Sequence, residues 1–91
     1  MKSILQRDKV CYLCGRGYGL EKHHCLAGVA NKPLSEKYGL WVWLCHNCHT
    51  GTDGAQYDPE KNMLLKRDAQ YEFERTHSRT EWMQIFRKNY L

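Results

Sequence analysis

The sequence has no apolar run long enough to cross a lipid bilayer, and its start lacks the uninterrupted apolar stretch of a signal peptide. These absences argue against a membrane protein and against secretion, and they predict a cytoplasmic, reducing location. There is also no internal repeat, low-complexity tract or linker, so the 91 residues predict a single domain over 1–91. In a reducing compartment, cysteine pairs bind metals more often than they form disulfides.

Positive charge is missing from the middle of the chain. Residues 41–60 contain three acids and no Lys or Arg, whereas residues 1–40 contain seven Lys or Arg against three acids. Residues 61–91 contain seven against four, and the formal net charge is +4. Basic flanks suit a polyanion and an acidic centre suits a cation. Because an ordinary solvated surface would also explain so modest an excess, charge alone favours a nucleic-acid partner only slightly.

The first half of the chain predicts two short strands. Residues 1–9 predict a short helix or an irregular arm, and the segment GYGLEKHHC predicts a turn that enters a strand. Residues 26–39 contain two Gly, one Pro, one Asn and one Ser, which predicts a loop. The β-branched and aromatic run LWVWL at 40–44 predicts the second strand.

The second half predicts two helices. Asp58 and Pro59 are typical of an N-cap and a first helical position. The buried stripe of this helix is predicted to be Leu65, Ala69 and Phe73. Residues 78–81 (SRTE) fit a capping box that begins another helix, which carries Trp82, Ile85 and Phe86.

Four cysteines form two matched pairs, Cys11-x-x-Cys14 and Cys45-x-x-Cys48, with thirty residues between them. A CxxC turn places two thiolates on one side of a tight loop, and two facing loops complete a tetrahedron around zinc. Four thiolates leave no open coordination position, so such a site is structural and its binding energy acts as folding energy. The spacing therefore predicts a structural Zn²⁺, which a chain this short can use for stability.

Other interpretations of the cysteines fit less well. A redox-active CxxC of the thioredoxin type is expected once, in a βαβ setting, and this chain has two such motifs. A two-Cys, two-His zinc finger is disfavoured because His23 and His24 are adjacent. Cys25 is left over, and a free cysteine is most often a small buried hydrophobic residue.

Four histidines lie near the cysteines, namely His23, His24, His46 and His49. Adjacent strand residues point to opposite faces, so one of His23 and His24 can bind a metal while the other approaches a substrate. Neutral imidazole is a good ligand and a good general base near neutral pH. A purely structural role is the alternative, above all for His49, which could simply brace the cysteine loop. His46, inside the second cysteine pair, is expected to be exposed or hydrogen-bonded near the zinc sulfurs, and His77 is expected to be a surface or cap residue.

These motifs together resemble the HNH endonucleases, also called ββα-metal or His-Me finger nucleases. The segments CYLCG, EKHHC, SEKYGLWVWLCHNCHTG and RKNYL are similar, more particularly, to small HNH proteins of phages and prophages. The resemblance covers the chain from Cys11 to the C-terminus. It implies an α+β fold with a small ββα-metal core around one divalent ion, a four-cysteine zinc site that braces it, and additional C-terminal helices.

The resemblance also implies roles for single residues. His24 matches the first His of the motif, the general base that activates water, while His23 and His49 match ligands of the catalytic metal. The implied activity is metal-dependent hydrolysis of DNA phosphodiester bonds, leaving 5′-phosphate and 3′-hydroxyl ends. Imidazole ligands favour Mn²⁺, Ni²⁺ or Zn²⁺ as the catalytic ion, whereas abundance favours Mg²⁺.

Two positions depart from the family pattern. The middle Asn, which holds the loop and orients the base, is replaced by Leu40. A later His that adds an imidazole to the metal is replaced by Gln56, which offers only a weak amide ligand, and Asp53 is an alternative oxygen ligand.

A nuclease must also bind the phosphate backbone through basic side chains. Candidates for DNA contacts flank or lie in the segment between the strands: Arg16, Lys22, Lys32 and Lys37. No helix has an obvious base-reading face, which predicts low sequence specificity. Trp41 and Trp43 are expected in the core, against the two C-terminal helices.

The resemblance thus implies a metal-dependent DNA endonuclease encoded by a phage or prophage, a hydrolase acting on phosphodiester bonds. DNA is the predicted partner, with phage packaging or recombination proteins as further candidates, and the oligomeric state is left open. A monomer with one site would nick, whereas a dimer could cut both strands. The alternative is a non-catalytic zinc-knuckle module that binds nucleic acid or a protein.

Overall fold

Two antiparallel strands form the sheet of the protein, whose residues 1–91 are all described by a computed structural model. Strand β1 (Leu20–His24) pairs with β2 (Trp41–Cys45), and Leu20 lies opposite Cys45. The aromatic and branched side chains of β2 favour this extended conformation. The predicted small α+β fold with two strands is confirmed, and β2 is displaced by one residue from its predicted range.

Four helices accompany the sheet. They are α1 (Asn31–Tyr38), α2 (His46–His49), α3 (Pro59–Glu74) and α4 (Arg79–Phe86). α1 connects the strands, α2 is a single turn directly after β2, and α3 and α4 pack against each other. None of these helices combines the length and the apolar character needed to span a bilayer.

The segment between the strands contains a helix, so the prediction of a loop over residues 26–39 is wrong for 31–38. Pro33 lies in the first turn of α1, where an N–H would lack an intrahelical partner in any case. Gly39 ends α1 in the left-handed conformation with φ 70°. Ser35 is fully buried, and its Oγ donates a hydrogen bond of 2.9 Å to the carbonyl of Leu26. Pro near the start and Gly just past the end mark helix termini as well as loops.

One buried cluster joins the strands to the helices. Val42 and Leu44 of β2 belong to it, together with Trp82 of α4. The predicted stripe of α3 is confirmed and lies in the same cluster: Leu65, Ala69 and Phe73. The rings of Phe73 and Trp82 meet edge to face with centroids 5.4 Å apart, a favourable aromatic geometry.

The predicted caps of α3 and α4 are confirmed. The Asp58 carboxylate accepts from the backbone N–H of Glu60 at 2.9 Å, and Pro59 is the first residue of α3. Ser78 and Glu81 form the reciprocal capping box of α4. These capping signals involve residues close together in the sequence, so they can be predicted without knowledge of the tertiary structure.

Trp41 and Trp43 lie on the other face of β2 from Val42 and Leu44, because side chains alternate along a strand. The irregular N-terminal arm covers them. The indole Nε1 of Trp41 donates to the carbonyl of Met1 at 3.1 Å, and the backbone N–H of Trp43 donates to Oε1 of Gln6 at 2.6 Å. The expectation that both tryptophans pack against the C-terminal helices is therefore wrong.

Candidate functional site

Four cysteines come together at one end of the sheet. The Sγ atoms of Cys11, Cys14, Cys45 and Cys48 all lie within 4.8 Å of one another, and those of Cys14 and Cys45 are 3.6 Å apart. A zinc tetrahedron with Zn–S bonds of about 2.3 Å has edges of about 3.8 Å. The four thiols are therefore positioned to bind a structural metal such as zinc, as the spacing predicts.

Backbone hydrogen bonds build the first cysteine loop and attach it to the sheet. Gly15, with φ 82°, donates its N–H to the carbonyl of Cys11 at 2.8 Å and turns the chain back. The N–H of Tyr12 donates to the carbonyl of Trp43 at 2.8 Å. The second pair of cysteines needs no such attachment, because Cys45 ends β2 and Cys48 lies in α2.

The thiols of the cluster influence one another's ionisation. Burial opposes ionisation of Cys11, but backbone hydrogen bonds from Cys45, Cys14 and Leu13 outweigh it and lower the Cys11 pKa to about 6. Burial raises the pKa of Cys48 far above its usual range, and hydrogen bonds with the other three cysteines raise it further. A divalent ion would remove this conflict, since it stabilises several thiolates at once.

Cys25 stands apart from the cluster. It is 1% exposed, belongs to the hydrophobic core, and its burial raises the thiol pKa to about 12. The prediction that it is a buried hydrophobic residue rather than a zinc ligand is confirmed.

A cleft of about 530 Å³ opens at the end of β1. It is lined by ten residues, namely Lys22, His23, His24, Ala27, Gly28, Val29, Lys32, His49, Gln56 and Asn62. The cleft therefore unites the three histidines singled out in the sequence with Gln56 and two of the four predicted basic residues.

His23 is the most buried histidine of the cleft. It is 7% exposed, and its Nε2 atom is buried without a hydrogen-bond partner. Burial, reinforced by His49, His24 and Lys32, lowers the pKa of His23 to about 4. The ring is thus neutral at pH 7 and offers a lone pair, as a metal ligand must.

His49 faces His23 and is held by a carboxylate. The two rings meet edge to face with centroids 5.2 Å apart, and Nδ1 of His49 lies 2.8 Å from Oε1 of Glu21. Glu21 also contacts Nδ1 of His46 at 3.3 Å. Hydrogen bonds with His49, the larger effect, and with His46 lower the pKa of the Glu21 carboxyl. Because an ionised carboxylate only accepts, Nδ1 of His49 carries a proton, and in the neutral imidazole Nε2 is then the ligand atom.

His24 lies on the opposite face of β1 from His23, as strand alternation predicts. Its partner across the sheet is Trp41, whereas His23 lies opposite Val42. Nε2 of His24 is 2.9 Å from Oε2 of Glu36 on α1. The two adjacent imidazoles therefore reach one cleft from different sides.

Leu40 and Gln56 are the two positions at which the sequence departs from the HNH resemblance. Leu40 is fully buried, and its carbonyl accepts from the N–H of Cys25 at 3.0 Å. A backbone contact thus holds the chain directly after the histidine pair. Gln56 lines the cleft, whereas Asp53, the alternative oxygen ligand, is exposed outside it.

Two of the predicted DNA contacts do not line the cleft. The Arg16 guanidinium lies over the Tyr18 ring at 5.2 Å, and the Lys37 ammonium lies over the Tyr38 ring at 5.3 Å. Lys22 and Lys32 do line it.

Two acidic residues of the site, Glu21 and Glu36, are absent from the sequence-based predictions. Glu21 is detectable in principle, because it precedes His23 by two strand residues and so shares its face. Glu36 required the recognition of α1 as a helix and of its position beside β1.

The four cysteines are the single compact group of three or more His, Cys, Asp or Glu ligand atoms. No known protein family, curated protein or solved structure matches the chain.

Proposed function

We propose that the protein is a metal-dependent DNA endonuclease with a ββα-metal core. The observation that carries the proposal is the convergence of His23, His24 and His49 on one cleft beside the four-cysteine cluster. β1, β2 and α2 follow one another in the strand, strand, helix order that such a core requires. α1 is inserted between the strands and forms one wall of the site.

The donor set in the cleft suits a second divalent ion. A buried imidazole nitrogen without a partner is costly, and Nε2 of His23 is such an atom. His49 has its Nδ1 occupied by Glu21, the arrangement typical of imidazoles that bind metals through the other nitrogen. Gln56 adds a weaker amide oxygen. When bound, the ion would stabilise the negative charge that develops on the phosphate and on the leaving oxygen.

His24 is suited to remove the proton of the attacking water. It is held by Glu36 rather than by the proposed ligand set, so one ring nitrogen is left for the substrate side. Lys22 and Lys32 bring positive charge to the same cleft, where a phosphodiester would lie. Arg16 and Lys37 would contact only DNA that extends beyond the cleft.

Plasmid nicking tests the proposal. Supercoiled plasmid is incubated with the protein and Mg²⁺, Mn²⁺ or Ni²⁺, and the rate is compared between wild type and His24→Ala. The matched control is His77→Ala, because His77 stacks on Phe73 outside the cleft. We expect metal-dependent nicking that His24→Ala lowers by at least about 100-fold, the usual contribution of a general base. Nicking by His24→Ala at the wild-type rate would contradict the proposal.

A non-catalytic nucleic-acid-binding module is the second candidate. It is favoured by the spread of the cleft residues, since His23, His24 and His49 do not form a compact ligand group as the cysteines do. Metal analysis separates the two candidates. The nuclease should bind one tight zinc and one exchangeable ion, and the second ion should disappear in a His23→Ala, His49→Ala double variant. The module should bind zinc alone and retain DNA without cutting it.

A further inference from the structure

We propose that Glu36 is the positioning residue of the catalytic base: it holds His24 through Nε2 and directs Nδ1 to the water. This inference rests on the proposed nuclease function and deepens it. It assigns a role that in the resembling family belongs to the Asn that this chain lacks.

The contact geometry determines the tautomer of His24. Oε2 of Glu36 lies 2.9 Å from His24 Nε2, and Oε1 lies 2.9 Å from the Lys22 ammonium. Hydrogen bonds from Lys22 and then from His24 lower the pKa of the Glu36 carboxyl, so it is ionised at neutral pH. An ionised carboxylate only accepts, so Nε2 of His24 carries a proton, and in the neutral imidazole the lone pair then lies on Nδ1.

Lys22 fixes the other end of the carboxylate. It precedes His24 by two residues on β1, so both side chains leave the same face of the strand. Its ammonium also lies 4.1 Å from the centroid of the Trp41 ring. Glu36 therefore bridges two side chains of one strand, which restricts its rotation.

The helix that carries Glu36 is itself held in place at the neighbouring residue. Ser35 is fully buried; its hydroxyl donates to the carbonyl of Leu26, and its carbonyl accepts from the N–H of Leu40 at 2.8 Å. Leu26 lies just after β1 and Leu40 just before β2. The backbone beside Glu36 is thus bonded to the segments next to both strands, a rigid support for an orienting contact.

A plain surface ion pair is the competing explanation, since the Glu36 side chain is 44% exposed. Exposed ion pairs contribute little to stability. Stability therefore cannot distinguish the two explanations, and the test must report on the His24 ring and on turnover.

The experiment combines kinetics with nitrogen NMR of the zinc-loaded full chain. Nicking kcat and KM are measured for wild type, Glu36→Gln and Glu36→Ala. The control is Glu72→Ala, which removes a comparable ion pair, Glu72 with Arg75 at 3.1 Å, outside the cleft. We expect Glu36→Ala to lower kcat by about 10- to 100-fold, with KM changed less than about twofold. Glu36→Gln, whose amide oxygen still accepts, should retain more activity than Glu36→Ala.

The NMR arm is independent of cleavage. Wild type should show a slowly exchanging Nε2–H proton of His24, and Glu36→Ala should lose it, while Glu72→Ala keeps it. A Glu36→Ala variant that nicks like wild type, or that keeps this proton, overturns the inference and leaves the nuclease proposal intact. Absence of nicking by wild type with every ion overturns both, so the two failures are distinguishable.

Discussion

Exchange of single cysteines for serine distinguishes a zinc site from four unrelated thiols. Cys14 is exposed and Cys25 is buried at 1% exposure outside the cluster. Without a metal, Cys14→Ser should change the free energy of unfolding by no more than about 0.5 kcal/mol, as for other surface substitutions. Cys25→Ser should then be the worse change, because it buries a hydroxyl without a designed partner at a cost of about 1–3 kcal/mol.

A bound zinc ion reverses that order. Structural zinc contributes about 10–16 kcal/mol of apparent binding energy in small domains, against a total stability of about 5–15 kcal/mol. If the loss of one of the four thiolates removes even a quarter of this zinc binding free energy, the protein is destabilised by about 3 kcal/mol. We therefore expect Cys14→Ser to be destabilised more than Cys25→Ser, and to bind less zinc.

Urea unfolding followed by tryptophan fluorescence, to which the buried Trp82 contributes, measures this order, and elemental analysis of the same samples counts zinc. Addition of excess zinc should raise the midpoint of Cys25→Ser as it raises that of wild type, because the four-thiol site is intact, and should raise the midpoint of Cys14→Ser by no more than that, because the weakened site binds less zinc. If Cys14→Ser unfolds at the wild-type urea concentration while Cys25→Ser does not, the zinc argument is refuted.

Three further predictions concern the backbone, a buried amide and pH. Gly39→Ala forces a side chain into φ 70° and against the Lys2 carbonyl, so thermal unfolding should show a loss of at least about 1–2 kcal/mol, whereas Gly17→Ala, with open space around it, should be nearly neutral. Gln70 is fully buried and accepts from the N–H of Tyr90 at 2.7 Å, so Gln70→Leu should cost about 1–3 kcal/mol in urea unfolding. His23 titrates near pH 4 when folded and near 6.5 when unfolded, so the unfolded state binds more protons between these values and stability falls as the pH drops below about 6.5. In His23→Gln, the loss of unfolding free energy between about pH 6.5 and pH 4 should be smaller than in wild type by up to about 3 kcal/mol. If the unfolding free energies of wild type and His23→Gln depend on pH in the same way, the lowered pKa of His23 is contradicted.

Local signals in the sequence predicted the parts of the fold that short-range chemistry determines. The CxxC pairs, the Asp58 cap and the Ser78 capping box each act within a few residues, and all appear in the structure where they were predicted. The alternation of His23 and His24 follows from strand geometry alone, which is why their opposite faces were also predictable.

Features that depend on which elements meet were harder to predict. Pro33 and Gly39 fit either a loop or the two ends of a helix, and the decisive contact, from Ser35 to Leu26, is tertiary. Glu36 was missed for the same reason. For Trp41 and Trp43, hydrophobicity indicates burial and does not indicate which segment, here the N-terminal arm, covers the side chains.

Cys48 of the cysteine cluster and His49 of the cleft are adjacent residues in the single helical turn α2. Successive Cα atoms are about 3.8 Å apart, so ions bound by these two side chains can be separated by at most about 15 Å. Co²⁺ substituted for zinc would therefore be close enough to change the electron paramagnetic resonance signal of Mn²⁺ added to the cleft. Because the two residues are adjacent in the chain, the cobalt–manganese interaction would report whether a metal is bound in the cleft, and the measurement needs no substrate.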